Sequence, residues 1–483
     1  MGEQKWLDLH ETIVSYLHKL KALHEVLPYQ MTMAEVVAYK SAKNHKNFLE
    51  KRGEKIEEND ETASYKLNFT DVKKSSRLGL RSDRAKTVLS LLPKKFHVSY
   101  VSEYDAYLGM LLTSLLTFKP EIIDSKDKNI SLSDLVALGS IEAAREKIIA
   151  KEVETVLRSS HADQFVWMEN NFALTLTTGL KSWPAFIELT ERRNLFVHCD
   201  GVVSEQYLSK CGKHSVTISD DLTVGTKLKA DQDYLNQSYE TLYEIGLKLS
   251  QVLWRKIDPK NIKKADKSLS DITYELLIEE NYLLAINLLD FACCTLKKWS
   301  SEGDRLVYVI NRSLAYKFSD NDKKCQSILA AEDWSACGDN YNLCVAVLQG
   351  KDARARELML RIGDSGPVTE VDYAEWPCFK EFRTKEIFVS TYTEIFGEPP
   401  STIEQIDKEK SSTKLDDDLE KTKQSDTDKT KREDELEDKL EDELEDELED
   451  ELEDELEDEL EDLSIGENDL DEFFRFRKSE KSK

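Results

Sequence analysis

Glycine is scarce in this chain, with 17 of 483 residues. Loops that cradle phosphates depend on glycine, because backbone amides approach a ligand closely only where a side chain is missing. The sequence contains no P-loop, no Rossmann glycine fingerprint, no HExxH pair and no nucleophile elbow. These absences exclude the commonest nucleotide-binding, dinucleotide-binding, zinc-protease and serine-hydrolase sites.

Long apolar runs are also missing. The longest one, near residues 110–118, is far too short to cross a bilayer. The N-terminal string MGEQKWLDLH lacks the apolar segment of a secretory signal. Trp6 stands where a myristoylation signal requires Ser or Thr. We therefore expect a cytoplasmic protein that does not associate with membranes.

The eight cysteines include no CxxC pair. Several fall on apolar helix faces, which predicts reduced, buried thiols. Cys199, Cys211 and His214 could be imagined as zinc ligands, but their spacing matches no standard zinc site and a fourth ligand is unassigned. We expect no metal and no other cofactor.

The net charge of −28 is concentrated at one end of the chain. Residues 401–483 contain 36 acidic and 14 basic residues, so the body is nearly neutral. Within this tail a leucine recurs at every fourth position from Leu436 to Leu460. A period of four drifts around an α-helix, and like charges four residues apart destabilise it, which predicts a disordered acidic tail. One hypothesis for the tail is a polynucleotide mimic that occupies an RNA-binding cleft until it is displaced.

The rest of the chain predicts an all-α protein. Apolar residues recur at three- and four-residue steps, with helix-start signals at Ser102, Ser140 and Ser160 and a first-turn proline at Pro184. The predicted organisation is a helical region and linker (1–80), an antiparallel helical bundle (83–257), a helical-repeat region (268–398) and the acidic tail (401–483). Alternating residues after Tyr65 predict a short strand or extended segment over 65–82, and the polar stretch before them predicts a surface loop.

Residues 268–362 have the spacing of a helical repeat. Asp271, Asp304 and Asp339 each precede an apolar stretch, at separations of 33 and 35 residues. The string NRSLAYKFSDNDKKCQSIL resembles a tetratricopeptide unit, with a small residue, an aromatic residue, a polar turn and a second helix. Three such units suffice to stack a common core, and the region is a candidate surface for a protein partner or neutraliser.

The candidate site is the string ERRNLFVHCDGVVSEQYL, in which Arg193, Asn194 and His198 end an amphipathic helix. Arginine is a permanent cation with donors suited to phosphate, and histidine exchanges a proton near neutral pH. The alternative is a purely structural role, in which the arginine and the histidine interact favourably with the C-terminus of their helix. In an ideal helix Arg193 and His198 point about 140° apart. They converge only if the helix end unwinds or a partner subunit contributes. Asn194 shares a face with His198 and could orient it.

This string resembles the signature of the HEPN family, in which an arginine, a polar residue, a short variable stretch and a histidine follow one another. The upstream helix KIIAKEVETVLRSSHADQFVWM resembles the wider domain pattern, and the resemblance covers about residues 83–257. More specifically, it looks like the bacterial HEPN-like nucleases of antiviral defence and toxin–antitoxin systems.

The resemblance implies metal-independent cleavage of RNA, in which a 2′-hydroxyl attacks the adjacent phosphate. His198 would transfer the proton, Arg193 would hold the phosphate oxygens and Asn194 would position both. It also implies a homodimer that brings two motifs into one cleft. Glu191, Arg192 and Tyr207 are further candidates for RNA contact, whereas Phe196 is expected to pack in the core. The rival reading is a noncatalytic HEPN and helical-repeat scaffold that binds protein or nucleotide partners.

Overall fold

The computed structural model describes residues 9–58, 63–124, 131–219, 221–400 and, near the C-terminus, Phe473, Arg475 and Arg477. These residues form seventeen α-helices and one two-stranded sheet, which confirms the all-α class. Among them, no helix has both the length and the apolar composition needed to span a membrane. The acidic tail predicted to be disordered, residues 401–483, lies outside the described part of the chain except for Phe473, Arg475 and Arg477.

The chain divides into two compact units. The larger unit comprises residues 1–29 and 90–398, and the smaller unit comprises residues 30–89 and 399–483. Two long helices contribute to both: α1 (Leu9–Arg52) and α2 (Phe69–Phe118). α2 runs without a break through residues 80–83, where the sequence places a domain boundary.

In the smaller unit, α1 and α2 are joined by a β-hairpin of β1 (Glu54–Glu58) and β2 (Ala63–Lys66). The two strands pair antiparallel, with Glu54 opposite Lys66. The polar stretch predicted as a loop is therefore partly strand. The extended segment predicted over 65–82 is wrong beyond residue 66, since α2 begins at Phe69.

The helical parts of the smaller unit lie close together. His45 of α1 is 3.3 Å from the Ser75 hydroxyl of α2. A Cβ atom added to Gly79 would lie 3.1 Å from the His45 ring, so glycine permits this approach. Near the C-terminus, the buried Phe473 ring lies 5.9 Å from the Tyr39 ring of α1.

The first part of the larger unit is a helical bundle around the apolar face of α2. After α2 the chain forms these helices: α3 (Glu121–Asp124), α4 (Leu132–Leu138), α5 (Ile141–Leu157), α6 (His161–Phe172), α7 (Trp183–His198), α8 (Glu205–Lys213) and α9 (Gln232–Ile257). Ser140 and Ser160 cap α5 and α6 as predicted, each accepting a backbone amide. Ser102 is not a cap, because it lies inside α2 and its hydroxyl bonds to the carbonyl of Val98.

Three elements meet tightly at the centre of this bundle. The Tyr16 and Tyr107 rings stack at 4.2 Å, and their hydroxyls donate to the carbonyls of Leu242 and Gly246 in α9. A Cβ atom at Gly246 would come within 2.5 Å of the Tyr16 ring. Glycine in the middle of α9 therefore lets the tyrosine ring lie against the helix backbone.

The second part of the larger unit is a series of helix pairs. It comprises α10 (Ile262–Ile278), α11 (Tyr282–Asp290), a π-helical turn (Phe291–Thr295), α12 (Glu302–Phe318), α13 (Asp322–Ala330), α14 (Asp339–Leu348), α15 (Asp352–Ile362), α16 (Glu370–Glu375), two 3₁₀ turns (Pro377–Phe379 and Phe382–Thr384) and α17 (Glu386–Phe396). The three aspartates predicted to precede helices lie inside them: Asp304 and Asp339 in the first turns of α12 and α14, and Asp271 in the middle of α10.

The three pairs α10–α11, α12–α13 and α14–α15 share one turn. In each, a left-handed residue follows the first helix: Glu280, Asp320 and Gly350. The next residue then donates its amide to a carbonyl five residues earlier, at 2.8–2.9 Å. This is the pattern of a Schellman motif, which satisfies the orphan carbonyls at a helix C-terminus. The repetition is therefore one of backbone geometry more than of sequence.

A buried ion pair connects the bundle with the helix pairs. Arg255 of α9 donates to the Asp266 carboxylate of α10 at 2.6 Å, and both side chains are almost fully buried. The same carboxylate accepts the amide of Ser300, and the Tyr308 hydroxyl donates to the backbone carbonyl of Asp266.

Candidate functional site

The candidate motif lies on α7, whose two ends are set by local sequence. Pro184 sits in the first turn, where its missing N–H costs no helical hydrogen bond. At the other end, Cys199 and Gly201 both donate their amides to the carbonyl of Leu195. Asp200 and Gly201 have positive φ angles of 49° and 84°, so the chain turns sharply after His198.

Arg193 is held in place by two neighbours. One guanidinium nitrogen donates to the Asp105 carboxylate of α2 at 3.0 Å, and another donates to the Asn194 side-chain oxygen at 3.1 Å. Its third nitrogen, Nε, is buried without a partner. The Arg193 side chain as a whole keeps 25% of its exposure.

The Asp105 carboxylate is shared with a second histidine. His161, at the start of α6, places Nε2 2.8 Å from the second oxygen of Asp105. The imidazole is buried, with Phe186 and Tyr104 around it. Asp105 thus bridges an arginine and a histidine from two different helices. Arg193, Asp105 and His161 therefore form one cluster within a single chain.

Sequence reasoning misses Asp105 and leaves His161 as a surface or satisfied residue. The two positions are 56 residues apart and share no motif. The only available signal is that Asp105 interrupts an apolar stretch of α2, next to the buried Tyr104 and Tyr107. A carboxylate on a buried helix face needs a hydrogen-bond or ion-pair partner. The sequence does not identify which residue that partner is.

His198 stands apart from this cluster. It is the last residue of α7 and is exposed. Among the described residues, no hydrogen bond or ion pair reaches it. Because α7 is helical through His198, its end does not unwind to bring the histidine towards Arg193. The structure does not show the predicted unwinding of the helix end, and the predicted contribution from a second subunit stays a prediction.

Asn194 has a different partner from the one that the sequence suggests. Its position four residues before His198 predicts a contact with the imidazole. In the structure its side-chain oxygen accepts a hydrogen bond from Arg193 instead. Asn194 therefore fixes the guanidinium, and the predicted Asn194–His198 contact is not among the described hydrogen bonds.

Two of the predicted RNA-contact residues belong to a hydrogen-bonded cluster around Glu188. Its carboxylate accepts Arg192 Nε and the hydroxyls of Tyr207 and Tyr234, at 2.6–2.8 Å. The Arg192 guanidinium also lies 3.8 Å from the centre of the Tyr234 ring. Tyr207 is only 2% exposed. The structure thus uses Arg192 and Tyr207 to connect α7, α8 and α9.

The third such residue, Glu191, is also engaged. It is buried on α7 and forms an ion pair with Lys210 of α8 at 2.7 Å. A buried carboxylate of this kind would repel a phosphate rather than attract it. The structure therefore supports a structural role for Glu191 in holding α8 against α7.

Ion pairs anchor the loop that follows His198. Asp200 accepts hydrogen bonds from Lys94 of α2, at 2.8 Å, and from Lys227. The bonds from Lys227 and Lys94 lower the pKa of the Asp200 carboxyl to about 2. Backbone bonds between Gly201 and Leu228 and between Val203 and Thr226 complete the anchoring. This loop fixes the end of the helix on which His198 lies.

The sequence predicts that Phe196 packs in the core, whereas in the structure its ring lies beneath the loop, against Gly201. It is half-buried, and its ring lies 5.5 Å from the ring of His97 in a T-shaped contact. His97 is fully buried, with Nε2 2.8 Å from the carbonyl of Leu189. Burial lowers the pKa of His97 to about 4, so this histidine is neutral at physiological pH.

The described residues form no cluster of three or more His, Cys, Asp or Glu side chains that could hold a metal ion. All eight cysteines are free thiols, of which Cys211, Cys325, Cys344 and Cys378 are buried. A cavity of about 610 Å³ lies near the start of α7, lined by Ser182, Glu244 and Lys248 among others. It is not lined by Arg193 or His198.

Comparison with known proteins finds no matching family model, no matching curated protein and no matching solved structure.

Proposed function

We propose that this protein is a metal-independent endoribonuclease of the HEPN type, with Arg193, Asn194 and His198 as its site. The observation that carries the proposal is the contrast between the two charged residues of the motif. Arg193 is fixed by Asp105 and Asn194 yet remains partly exposed, whereas His198 is exposed at the end of the same helix. A fixed cation and an accessible imidazole suit the two tasks of phosphate binding and proton transfer.

The reaction follows from these groups. A ribose 2′-hydroxyl gives its proton to the imidazole of His198 as its oxygen forms a bond to the adjacent phosphorus. The bond from phosphorus to the 5′-oxygen breaks, and that oxygen takes a proton from an imidazolium. The products are a 2′,3′-cyclic phosphate and a 5′-hydroxyl. The guanidinium of Arg193 neutralises the nonbridging oxygens as their charge grows.

In the proposed site, a second copy of the chain supplies the histidine that lies next to Arg193. Arg193 and His198 leave a continuous helix about 140° apart, so one motif does not close around a single phosphate. Two copies of α7 across a two-fold axis would bring the arginine of one subunit to the histidine of the other. A homodimer is therefore part of the proposal.

The test is incubation of the purified protein with total RNA in EDTA, followed by mapping of the cleaved ends. We expect cyclic phosphate ends, and we expect His198→Ala to lose at least about a hundredfold of the rate, as loss of a general acid–base group does. Arg193→Ala should be similarly impaired. His214→Ala, an exchange at a histidine outside the motif, is the matched control. Cleavage that survives His198→Ala contradicts the proposal.

One observation favours a noncatalytic scaffold as the second candidate. The charge of Arg193 is already balanced by Asp105, as in an ion pair whose role is only structural. In that case the bundle serves dimerisation or nucleotide binding, and the helix pairs bind a protein partner. The two candidates differ in the cell as well, because a defence nuclease or toxin is expected to arrest growth on overexpression and to lose that effect with His198→Ala.

A further inference from the structure

The cavity of about 610 Å³ near the start of α7 is formed by three walls of the larger unit. One wall is the loop between α6 and α7, the second is one face of α9, and the third is α11 with the π-helical turn that follows it. A cavity of this volume is in the range of small-molecule sites. The π-helical turn contributes Phe291, Cys294 and Thr295, and such turns are frequently found at functional sites.

Several polar side chains that line the cavity have no partner among the described residues. Thr241 of α9 is 6% exposed, yet its hydroxyl makes no hydrogen bond to another described residue. Gln237 and Glu240, on the same face of α9, and Asn287, across the cavity on α11, likewise have no partner in the described part of the chain. A buried hydroxyl normally finds a partner, so the convergence of these groups on one cavity indicates a ligand.

The carboxylates of α9 favour a positively charged ligand. Glu240 and Glu244 are four residues apart and share one face of the helix. Glu244 is buried, and one of its oxygens accepts the Ser182 hydroxyl at 2.9 Å and the Lys248 ammonium at 2.6 Å. Among the described residues, no hydrogen bond reaches its other oxygen. Desolvation and the nearby Glu244 carboxylate raise the pKa of Glu240 above its ordinary value, so a cation beside this pair is favourable.

Other charges at the two helical walls already have partners. Lys248 is paired with Glu244 at 2.6 Å. Asp290, at the end of α11, accepts a hydrogen bond from Arg312 at 2.6 Å. Among the described charged residues that α9 and α11 contribute to the cavity, Glu240 is therefore the one without an opposite charge beside it.

We propose that this cavity binds an aliphatic polyamine, with one ammonium group between Glu240 and Glu244. Side chains one helical turn apart have Cβ atoms about 5–6 Å from each other, which leaves room for an ammonium group between their carboxylates. Thr241 and Asn287 offer further acceptor oxygens for N–H groups. Methylene segments suit the apolar part of the wall, which comprises Ile245, Leu249, Val252 and Phe291.

An anionic ligand suits the cavity less well. A phosphate would be attracted to Lys181 of the loop wall, but it would face the carboxylates of Glu240 and Glu244. The acidic C-terminal sequence carries the same sign of charge as these two residues, so it is also a poor occupant. An ammonium group is attracted where these anions are repelled.

The test follows maleimide labelling of Cys294, an exposed thiol at the cavity wall, in the full chain and in an amine-free buffer near neutral pH. Cys199, an exposed thiol that does not line the cavity, is the internal control and is read from the same digest by mass spectrometry. Burial raises the pKa of the neighbouring Cys293 to about 12, so its thiol reacts little. We expect spermidine to slow the labelling of Cys294 and to leave that of Cys199 unchanged.

This readout is local, which matters because residues 401–483 also attract polyamines through their negative charge. Polyamine held by those residues does not distinguish one thiol from the other. Protection of Cys294 alone therefore reports binding at the cavity.

Two variants test which groups recognise the amine. Glu240→Gln should raise the spermidine concentration for half-maximal protection at least about tenfold, because a hydrogen bond to a charged group is weakened. Thr241→Val should raise it about two- to tenfold, because it removes a neutral hydroxyl. Glu146→Gln, at an exposed glutamate of α5 outside the cavity, is the matched control and should behave like wild type. Both cavity variants should keep the wild-type unfolding transition, since neither side chain bonds to another described residue.

Three results would overturn the proposal. They are the absence of protection by spermidine, unchanged protection in Glu240→Gln, and protection by AMP at lower concentrations than spermidine. The last result would make the cavity a site for an anionic nucleotide. None of them bears on cleavage of RNA, so this inference and the nuclease proposal stand or fall separately.

Discussion

The charge of Arg193 is balanced within the chain itself. Asp105 neutralises it from one side, and Asn194 orients it from the other. If Arg193 binds a phosphate as proposed, it does so with a guanidinium that these two contacts already hold in place, which would lower the entropy cost of binding. Asp105 also reaches His161, so loss of this carboxylate would release both partners at once.

His97 gives the bundle a specific dependence on pH. Burial lowers its pKa in the folded protein to about 4, whereas the unfolded chain has a value near 6.5. Between these values the unfolded state binds more protons, so stability falls as pH decreases from about 6.5 to 4. The loss should be on the order of 3 kcal/mol, from the size of the shift.

The measurement is urea unfolding at several pH values between 4.5 and 7.5. We expect His97→Gln to lower stability at pH 7 but to flatten the decline towards acid. His45→Gln, at a histidine of the smaller unit that is only half-buried, is the control. A decline of equal steepness in wild type and His97→Gln would show that His97 is not the group that titrates.

Residues of the site differ in how far sequence predicts them. Arg193, Asn194 and His198 form a local string, so they are visible as a motif. Asp105 and His161 belong to the cluster only through tertiary packing of α2 and α6 against α7. Tyr207 and Arg192 look like surface polar residues until Glu188, on the preceding turn, is seen to accept both.

At the scale of helices, the packing of α9 against Tyr16 of α1 depends on Gly246. Gly246→Ala would place a Cβ atom within 2.5 Å of the Tyr16 ring, so either the ring or the helix must shift. Overpacking of this kind costs about 1–3 kcal/mol, which exceeds the gain in helix propensity of about 1 kcal/mol. We expect a lower free energy of unfolding, measured by urea denaturation.

Gly212→Ala is the matched control, because Gly212 is also within a helix and its Cβ would meet nothing within 4 Å. That exchange should be neutral or stabilising. In addition, Tyr16→Ala should make Gly246→Ala nearly harmless in the double variant, because the two sites couple through the contact. Additive effects would contradict the steric explanation.

Helix starts are predicted well where a side chain caps the backbone, and poorly where a helix simply continues. Ser140 and Ser160 are true caps, because their oxygens accept amides three residues later. Ser102 has the same residue type but bonds to a carbonyl four residues earlier, inside α2. No local feature distinguishes these cases, since Ser102 remains helical through the packing of its apolar neighbours.

For the whole molecule, the decisive question is whether one site is built from two chains. The proposed cleft takes Arg193 from one subunit and His198 from the other, because α7 keeps them apart within a chain. Arg193→Ala and His198→Ala homodimers should both be inactive. A mixed dimer contains one intact arginine and one intact histidine on opposite subunits, and should recover part of the activity.

The experiment mixes the two variants after mild denaturation and refolding, and follows cleavage of a labelled RNA in EDTA. Restored cleavage in the mixture, absent from either variant refolded alone, supports a shared cleft. The control mixes Arg193→Ala with the double variant Arg193→Ala/His198→Ala, which supplies no intact arginine. If wild-type protein cleaves RNA but the mixture stays inactive, each chain works with its own motif, and a rearrangement of α7 must then bring the two side chains together.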